Sequence, residues 1–228
     1  MNFSGIEKNS LVDYDGYIAC TLFTAGCNFR CPFCHNSNLV NGKADTVLDE
    51  EEALDFLQRR RGFLDAVCLT GGEPTLHKEI KPFLSKVKHL GYKVKLDTNG
   101  TDPTFLKELV KEGLIDYVAM DIKNSLKEYS AITGTSPDVS AIKESVEFLL
   151  SDAVDYEFRT TLVQGYHTVQ TVSEIADLIA GAKRYFLQKF EDRGTVLTGG
   201  LAPVDKQTAL IFKEILDKKI AKVSLRGY

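Results

Sequence analysis

Hydrophobic and polar positions change period repeatedly along the chain, which predicts short strands alternating with amphipathic helices. The predicted strands are mostly rich in β-branched or aromatic residues and have turn residues nearby. They cover residues 17–23, 66–69, 92–96, 117–121, 156–163 and 184–190. Regular alternation of this kind favours parallel strands joined by right-handed crossovers. We therefore expect an α/β fold, built as a partial barrel or an open parallel sheet, because six units are too few for an eight-fold barrel.

Apolar residues recur at helical spacing between the predicted strands. In EEALDFLQRR the expected N-cap is Asp49, and in HKEIKPFLSKVKHLGY the helix should stop at Gly91. Pro103 suits the first turn of the following helix. The segments AIKESVEFLL and VSEIADLIAGA show the same pattern. Residues 205–219 predict a last helix, and AKVSLRGY predicts a final strand.

The composition is ordinary for a soluble globular protein, with 43% hydrophobic and 26% charged residues. At 228 residues we expect one domain over 1–228, with a C-terminal helix and tail at about 204–228. No apolar run of about 18 residues predicts a membrane span, and the N-terminus lacks a secretory core, so we expect a cytoplasmic protein. A net charge of −4 without a large basic block argues against a nucleic-acid partner.

Three of the five cysteines lie within eight residues, in the segment CNFRCPFC. Clustering of this kind in a cytoplasmic protein indicates metal or redox chemistry. The other two, Cys20 and Cys68, stand in apolar runs and are expected to be buried.

The spacing of Cys27, Cys31 and Cys34 favours an iron–sulfur cluster. A [4Fe–4S] cluster normally takes four thiolates, so three leave one iron open to bind a substrate. Zinc is the main alternative. It would need His35, which is adjacent to Cys34 and not at the usual ligand spacing, or a buried fourth cysteine.

The remaining unusual polar segments stand at or near the carboxyl ends of predicted strands, where the active sites of parallel α/β folds lie. They are TGGEPT, LDTNG, MDIK, FRTT and LQKF. Each has an ordinary explanation on its own. Gly71 and Gly72 suit a tight turn, Asp97 and Asn99 suit turn or cap positions, and Arg159 suits a structural ion pair. Asp121 and Lys123 suit a surface ion pair. Their collection at one edge indicates a functional site.

These motifs resemble the radical S-adenosylmethionine (SAM) superfamily over nearly the whole chain. Its cysteine signature with an aromatic residue corresponds to Cys27, Cys31, Phe33 and Cys34, and its GGE segment to residues 71–73. Within the superfamily the chain is similar to the activating proteins of anaerobic ribonucleoside-triphosphate reductases. The segments that carry this similarity are CNFRCPFCHN, RRGFLDAVCLTGGEPTL, KVKLDTNGT, DYVAMDIK, DYEFRTTLV and AKRYFLQKF. Pyruvate formate-lyase activating enzymes share the core pattern.

The resemblance implies a partial (β/α)6 parallel barrel and two cofactors, a [4Fe–4S] cluster and SAM. The three cysteines of the cluster loop, residues 25–38, would ligate three irons. The implied SAM contacts are Phe33, Gly71, Gly72, Glu73, Pro74, Asp97, Thr98, Asn99, Asp121, Lys123, Arg159 and Gln188. Gln188 stands where related activators often carry a histidine. A monovalent cation near Asp97 and Asp121 is also implied.

The resemblance implies reductive cleavage of SAM and removal of a hydrogen from a glycine of a partner glycyl-radical enzyme. An anaerobic ribonucleotide reductase is the expected partner, and flavodoxin or ferredoxin the expected electron donor. The alternatives are a small-molecule radical SAM enzyme of the deazapurine-synthase kind, a pyruvate formate-lyase activating enzyme, and a non-enzymatic iron–sulfur or zinc protein. The end Arg226–Gly227–Tyr228 is faintly similar to a glycyl-radical loop, but a final strand or tail explains it better.

Overall fold

The computed structural model describes residues 1–40 and 44–228. The strands are β1 (Asn2–Phe3), β2 (Gly5–Ser10), β3 (Ala19–Thr24), β4 (Leu48–Asp49), β5 (Ala66–Gly71), β6 (Lys93–Thr98), β7 (Tyr117–Asp121), β8 (Asp155–Leu162), β9 (Tyr185–Lys189) and β10 (Val223–Arg226). The helices are α1 (Ser37–Val40), α2 (Glu50–Arg59), α3 (Ile80–His89), α4 (Pro103–Lys111), α5 (Tyr129–Thr133), α6 (Val139–Leu150), α7 (Val169–Leu178) and α8 (Lys206–Leu216).

The described residues group into two compact units. The first comprises Met1–Asn28, Asn38–Thr98 and Thr104–Val118, and the second comprises Phe29–Ser37, Asn99–Pro103 and Ala119–Tyr228. Strand β7 begins in the first unit and ends in the second. Each unit is described by itself below.

In the first unit the strands follow the order β6, β5, β3 and β2. Strands β3, β5 and β6 are parallel neighbours, whereas β2 is antiparallel to β3. The register places Thr24 opposite Gly71. Because parallel strands end at the same edge, the segments that follow β3 and β5 begin side by side.

In the second unit β8, β9 and β10 are parallel neighbours. The register places Arg159 opposite Phe186, and Gln188 opposite both Thr161 on β8 and Arg226 on β10. Alternation along β8 puts Arg159 and Thr161 on one face of this sheet, with Phe158 and Thr160 on the other.

The predicted α/β fold with mostly parallel strands is confirmed, and the six predicted strands correspond to β3, β5, β6, β7, β8 and β9. The final strand predicted from AKVSLRGY is β10. The prediction of parallel strands alone was incomplete, because it missed antiparallel β2 and the short β1–β4 pair. Strand β2, GIEKNS, lies at the end of the strand order and has three consecutive exposed residues. It therefore lacks the alternation by which strands are recognised.

The helix signals also have structural counterparts. Asp49 caps α2 in a capping box with Glu52, and Pro103 is the first residue of α4. Helix α3 ends at His89 with Leu90 as its C-cap, and Gly91 follows with φ of +92°. The last predicted helix is α8, which Asp205 caps.

Both units bury apolar strand faces beneath helices. In the first, α3 contacts α2 and β6, and in the second, α8 contacts α7 and β10. Cys20 and Cys68 are buried as expected, and burial raises the pKa of the Cys20 thiol to about 12. Within the described residues, no helix combines the length and the apolar character that a membrane crossing requires.

Candidate functional site

In the first unit, the end of β5 approaches the end of β3 so closely that only glycine fits. A Cβ atom on Gly71 would lie 2.4 Å from the backbone nitrogen of Thr24, and one on Gly72 would lie 1.9 Å from the carbonyl oxygen of Gly26. Gly71 also has φ of +120°, which side chains disfavour. The amides of Gly72 and Glu73 donate to the carbonyls of Thr24 and Gly26, each at 2.8 Å. The GGE segment is therefore bonded to the backbone immediately before Cys27.

The buried carboxylate of Glu73 holds this turn to the end of β6. Its Oε1 accepts hydrogen bonds from the Thr75 amide at 3.2 Å and from the Thr75 and Thr98 hydroxyls, both at 2.7 Å. Only 1% of Glu73 is exposed. A carboxylate this buried needs such donors to offset its lost hydration. Glu73 thus fixes the backbone around it instead of facing solvent.

Asp97 near the end of β6 is paired with a buried lysine that sequence analysis did not select. The Nζ of Lys95 lies 3.2 Å from Asp97 Oδ1, and it also donates to the carbonyl of Asp13. Asp13 in turn accepts from the Thr21 hydroxyl at 2.6 Å. Lys95 was detectable in principle, since residues two apart share a strand face.

In the second unit, residues 29–37 of the cluster loop pack against α5. The Arg30 amide donates to the carbonyl of Thr133 at 2.7 Å, and the Phe29 ring lies 6.4 Å from that of Tyr129. Cys31 and Phe33 are buried, while Cys34 is half-buried. These contacts fix the backbone of the loop segment that carries Cys31 and Cys34.

A second segment, residues 190–198, covers the same loop and is called the strap here. The ring of His35 stacks on Phe190 with centroids 5.7 Å apart, and its Nε2 lies 2.5 Å from the Glu191 carbonyl. The Thr195 hydroxyl donates to the His35 carbonyl at 2.9 Å, and the Thr198 amide donates to the Pro32 carbonyl at 2.9 Å. His35 therefore binds the strap, a role that its zinc-ligand alternative did not anticipate.

The charged residues after β7 and on β8 form one ion-pair group. Asp121 lies 2.9 Å from Lys123 Nζ and 3.0 Å from Arg159 Nε. Burial disfavours the ionised carboxylate, but the two cations outweigh it and hold the pKa of Asp121 at about 2. The ion pair weighed as the ordinary explanation for Asp121 and Lys123 is therefore present, and both residues are only partly exposed.

Lys123 lies within electrostatic reach of the cluster loop. Burial opposes its charge, but the carboxylate of Asp121 and then the sulfur of Cys31 raise its pKa, and Cys34 adds to this. The charge of Lys123 therefore acts on two of the three candidate cluster ligands.

Two further predicted site residues are Asn99 and Gln188. Asn99 is buried, and its Oδ1 accepts from the amide of Thr101 at 3.1 Å and from its hydroxyl at 2.7 Å. This is the turn role that was the ordinary explanation for Asn99. Gln188 is half-buried on β9.

The donor set at the cluster loop suits soft metal chemistry. No disulfide joins any of the five cysteines. Among the described residues, no three His, Cys, Asp or Glu side chains converge on a point where one metal ion would bind. Cysteines of an iron–sulfur cluster each bind a different iron, so they do not need to converge in this way.

A cavity of about 430 Å³ in the first unit is lined by none of these residues. Tyr17, Asp65 and Lys93 line it, at the amino ends of β3, β5 and β6. In parallel folds the chemistry belongs to the carboxyl ends, so this cavity is not the candidate site.

Residues 21–179 match the family model of the radical SAM superfamily. The chain is 34% identical to a candidate glycyl-radical enzyme activating enzyme of Methanocaldococcus jannaschii, over 83% of this chain and 80% of that protein. It is also 34% identical to a protein of Pyrococcus horikoshii assigned as a GTP 3′,8-cyclase, over 49% of this chain and 36% of that protein.

Among solved structures, SuiB of Streptococcus suis bound to SAM matches 90% of this chain and 49% of its own, with a TM-score of 0.70 and 15% identity. That likeness shows the fold. The family match spans more than half of the chain, and enzymes of this superfamily use a [4Fe–4S] cluster with SAM. The three cysteines, and the glycine turn bonded to the backbone before Cys27, have the chemistry that those cofactors need. The chain belongs to the radical SAM superfamily and is one of its enzymes.

Proposed function

We propose that this protein activates a glycyl-radical enzyme by cleaving SAM reductively and removing a hydrogen from the α-carbon of a glycine in that partner. The similarity to the Methanocaldococcus jannaschii protein carries the proposal, because the match covers 83% of this chain and 80% of that protein. Enzymes of that kind act on a protein substrate. The finer assignment is to a partner of the anaerobic ribonucleotide reductase type.

Cys27, Cys31 and Cys34 would hold the cluster. Their chemistry supports this assignment, because thiolates are the usual ligands of iron–sulfur clusters and three of them leave one iron for SAM. The bound cluster and SAM supply a carbon-centred radical, and the protein supplies orientation and excludes water.

The remaining proposed site residues orient SAM. Polar backbone groups of Gly71, Gly72 and Glu73 would receive its ammonium group. The rigid turn supports this role, since its geometry does not depend on flexible side chains. The other proposed contacts are Phe33, Pro74, Asp97, Thr98, Asn99, Asp121, Lys123, Arg159 and Gln188.

Charge balance supports the roles of the ionic residues. Asp121 has a pKa of about 2, so it is ionised at neutral pH and balances Lys123 and Arg159. Lys123 and Arg159 would offset the carboxylate charges around SAM. Asp97 and Asp121 would also contribute oxygen atoms to a monovalent cation, because oxygen ligands suit hard cations.

The proposal treats residues 1–228 as one cytoplasmic radical SAM domain that takes electrons from flavodoxin or ferredoxin. The family match supports this, because residues 21–179 include parts of both compact units. No nucleic-acid partner is proposed.

A second candidate is a radical SAM enzyme that acts on a small molecule. The similarity to the Pyrococcus horikoshii protein favours it, but that match covers only 36% of the relative. A pyruvate formate-lyase is the alternative partner if the protein is an activator.

The test begins with anaerobic reconstitution of the cluster, reduction, and assay of 5′-deoxyadenosine after addition of SAM. Cys31→Ala should abolish cleavage, whereas the matched control Cys20→Ala alters a buried cysteine outside the loop and should retain the cluster. Candidate partners are then added and the glycyl-radical doublet is sought by electron paramagnetic resonance. Cleavage without any doublet, but with turnover of a purine nucleotide, would move the assignment to the second candidate. A well-formed reduced cluster that cleaves no SAM would refute both.

A further inference from the structure

The backbone of Lys123 is held by two buried aromatic side chains. Lys123 follows the last residue of β7 by two positions, where sheet pairing has ended. Its amide donates to the hydroxyl of Tyr129 at 3.1 Å, and its carbonyl lies 3.0 Å from Nε2 of His167. Both backbone polar groups of Lys123 are thus satisfied by side chains, one of them 44 residues away in the sequence.

The contacts of His167 favour one tautomer. Nδ1 lies 3.1 Å from the Val163 amide, which can only donate, and 3.3 Å from the Val163 carbonyl, while Nε2 faces the Lys123 carbonyl at 3.0 Å. A neutral ring with its proton on Nε2 accepts from the Val163 amide and gives the Lys123 carbonyl the donor that it needs. Nε2 therefore donates to the Lys123 carbonyl. Only 4% of His167 is exposed, and burial lowers its pKa against the opposing effect of the Lys123 and Val163 carbonyls, which favours the neutral ring.

A second bond joins the same two loops. The side-chain amide of Asn124 donates to the carbonyl of Tyr166 at 2.9 Å. The loops after β7 and β8 therefore stay connected if the His167 bond is lost, and His167 can be altered without separating them.

We propose that His167 is a positioning residue for Lys123: it fixes the backbone carbonyl of the residue whose ammonium reaches Asp121 and the cofactor site. This inference rests on the proposed function, in which Lys123 offsets carboxylate charge around SAM. Lysine has four rotatable bonds, so the position of its ammonium depends on both ends of the side chain. Asp121 holds the ammonium end at 2.9 Å, and His167 holds the backbone end. Because Lys123 offsets charge around bound SAM, a displaced ammonium weakens binding of SAM, and the backbone anchor therefore matters for the affinity for SAM.

The test uses two variants of His167, each of which replaces one of the two ring nitrogens by an amide group. His167→Gln places an amide donor near the position of Nε2, and His167→Asn places an acceptor near Nδ1 but does not reach Lys123. We expect His167→Asn to raise the KM for SAM by about fivefold to tenfold with little change in kcat, as expected for one lost hydrogen bond. His167→Gln should stay within about twofold of the unaltered protein.

A second readout does not depend on turnover. In the reconstituted protein without SAM, hydrogen exchange of residues 121–126 should accelerate in His167→Asn and not in His167→Gln. Thr168→Ala is the matched control, because it removes the α7 cap in the same loop without touching Lys123. It should lower thermal stability but leave the KM for SAM unchanged.

A double variant shows whether His167 acts through Lys123. In a Lys123→Met background, His167→Asn should have no further effect on the KM for SAM, since the group it positions is gone. Equal KM values for the Asn and Gln variants, or a full His167→Asn effect in the Lys123→Met background, would overturn the inference. If the unaltered protein cleaves no SAM, the proposed function fails, while the exchange comparison still tests the anchor.

Discussion

The glycine turn of the first unit and the ion-pair group of the second reach a fixed geometry by different physical means. At Gly71 and Gly72, backbone atoms lie where a side chain would have to be. Around Asp121, the geometry comes from opposite charges at 2.9 and 3.0 Å. The turn should therefore be intolerant of added volume, and the ion-pair group intolerant of lost charge.

The largest effect should follow from Gly72→Ala, which adds a methyl group 1.9 Å from the backbone oxygen of Gly26. Two backbone segments must separate, so we expect a loss of about 3 kcal/mol in the free energy of unfolding, together with loss of SAM cleavage. Gly199→Ala is the control, because nothing lies within 4 Å of its added carbon. Denaturant unfolding measures both variants. Equal stabilities would show that the turn relaxes easily.

Asp121→Asn tests the charged region with almost no change in volume. The folded pKa of about 2 lies below the ordinary 3.8, so ionised Asp121 stabilises the fold above about pH 4, and this is lost as the pH falls toward 2. The shift corresponds to about 2 kcal/mol at pH 7. Unfolding of the full chain should show this deficit for the variant at neutral pH and a shrinking difference below pH 4. A difference independent of pH would contradict the electrostatic explanation.

Thr98→Val tests how much the hydrogen bond to the carboxylate of Glu73 stabilises the glycine turn. It removes the 2.7 Å hydroxyl bond to buried Glu73 while keeping the shape of the side chain, so we expect a loss of about 1.5 kcal/mol. Thr208→Val is the matched control, because its hydroxyl makes a 2.7 Å bond to the exposed carboxylate of Asp205. That variant should stay within about 0.5 kcal/mol of the unaltered protein. Equal losses would show that burial does not strengthen the bond.

The smallest effect is expected from His35→Ala, which loosens the strap from the cluster loop. Loss of the Phe190 stacking and the Glu191 contact should cost about 1 kcal/mol locally. Hydrogen exchange of residues 191–198 should accelerate, and the reconstituted cluster should be lost faster in air. Arg193→Ala removes only an exposed ion pair on the strap and should change neither quantity. Unchanged exchange in His35→Ala would show that other bonds hold the strap.

Local patterns predicted most of the regular elements because they depend on nearby residues. The run AVCL in β5 and the N-cap at Asp49 are defined within a few positions, and the structure has both. Strand β2 was missed because it has no such pattern and forms only by pairing with β3. Gly71 and Gly72 were selected as a motif, but their steric reason became visible only against Thr24 and Gly26.

By itself the sequence determined the α/β order, the cysteine spacing and the family, since these are properties of neighbouring residues and of short motifs. Tertiary structure alone decided that Glu73 braces Thr98, that His35 binds the strap, and that His167 donates to Lys123. Each of these contacts joins residues far apart in the chain. The physical reason is that a hydrogen bond depends on distance in space, which strand pairing and loop packing set and sequence spacing does not.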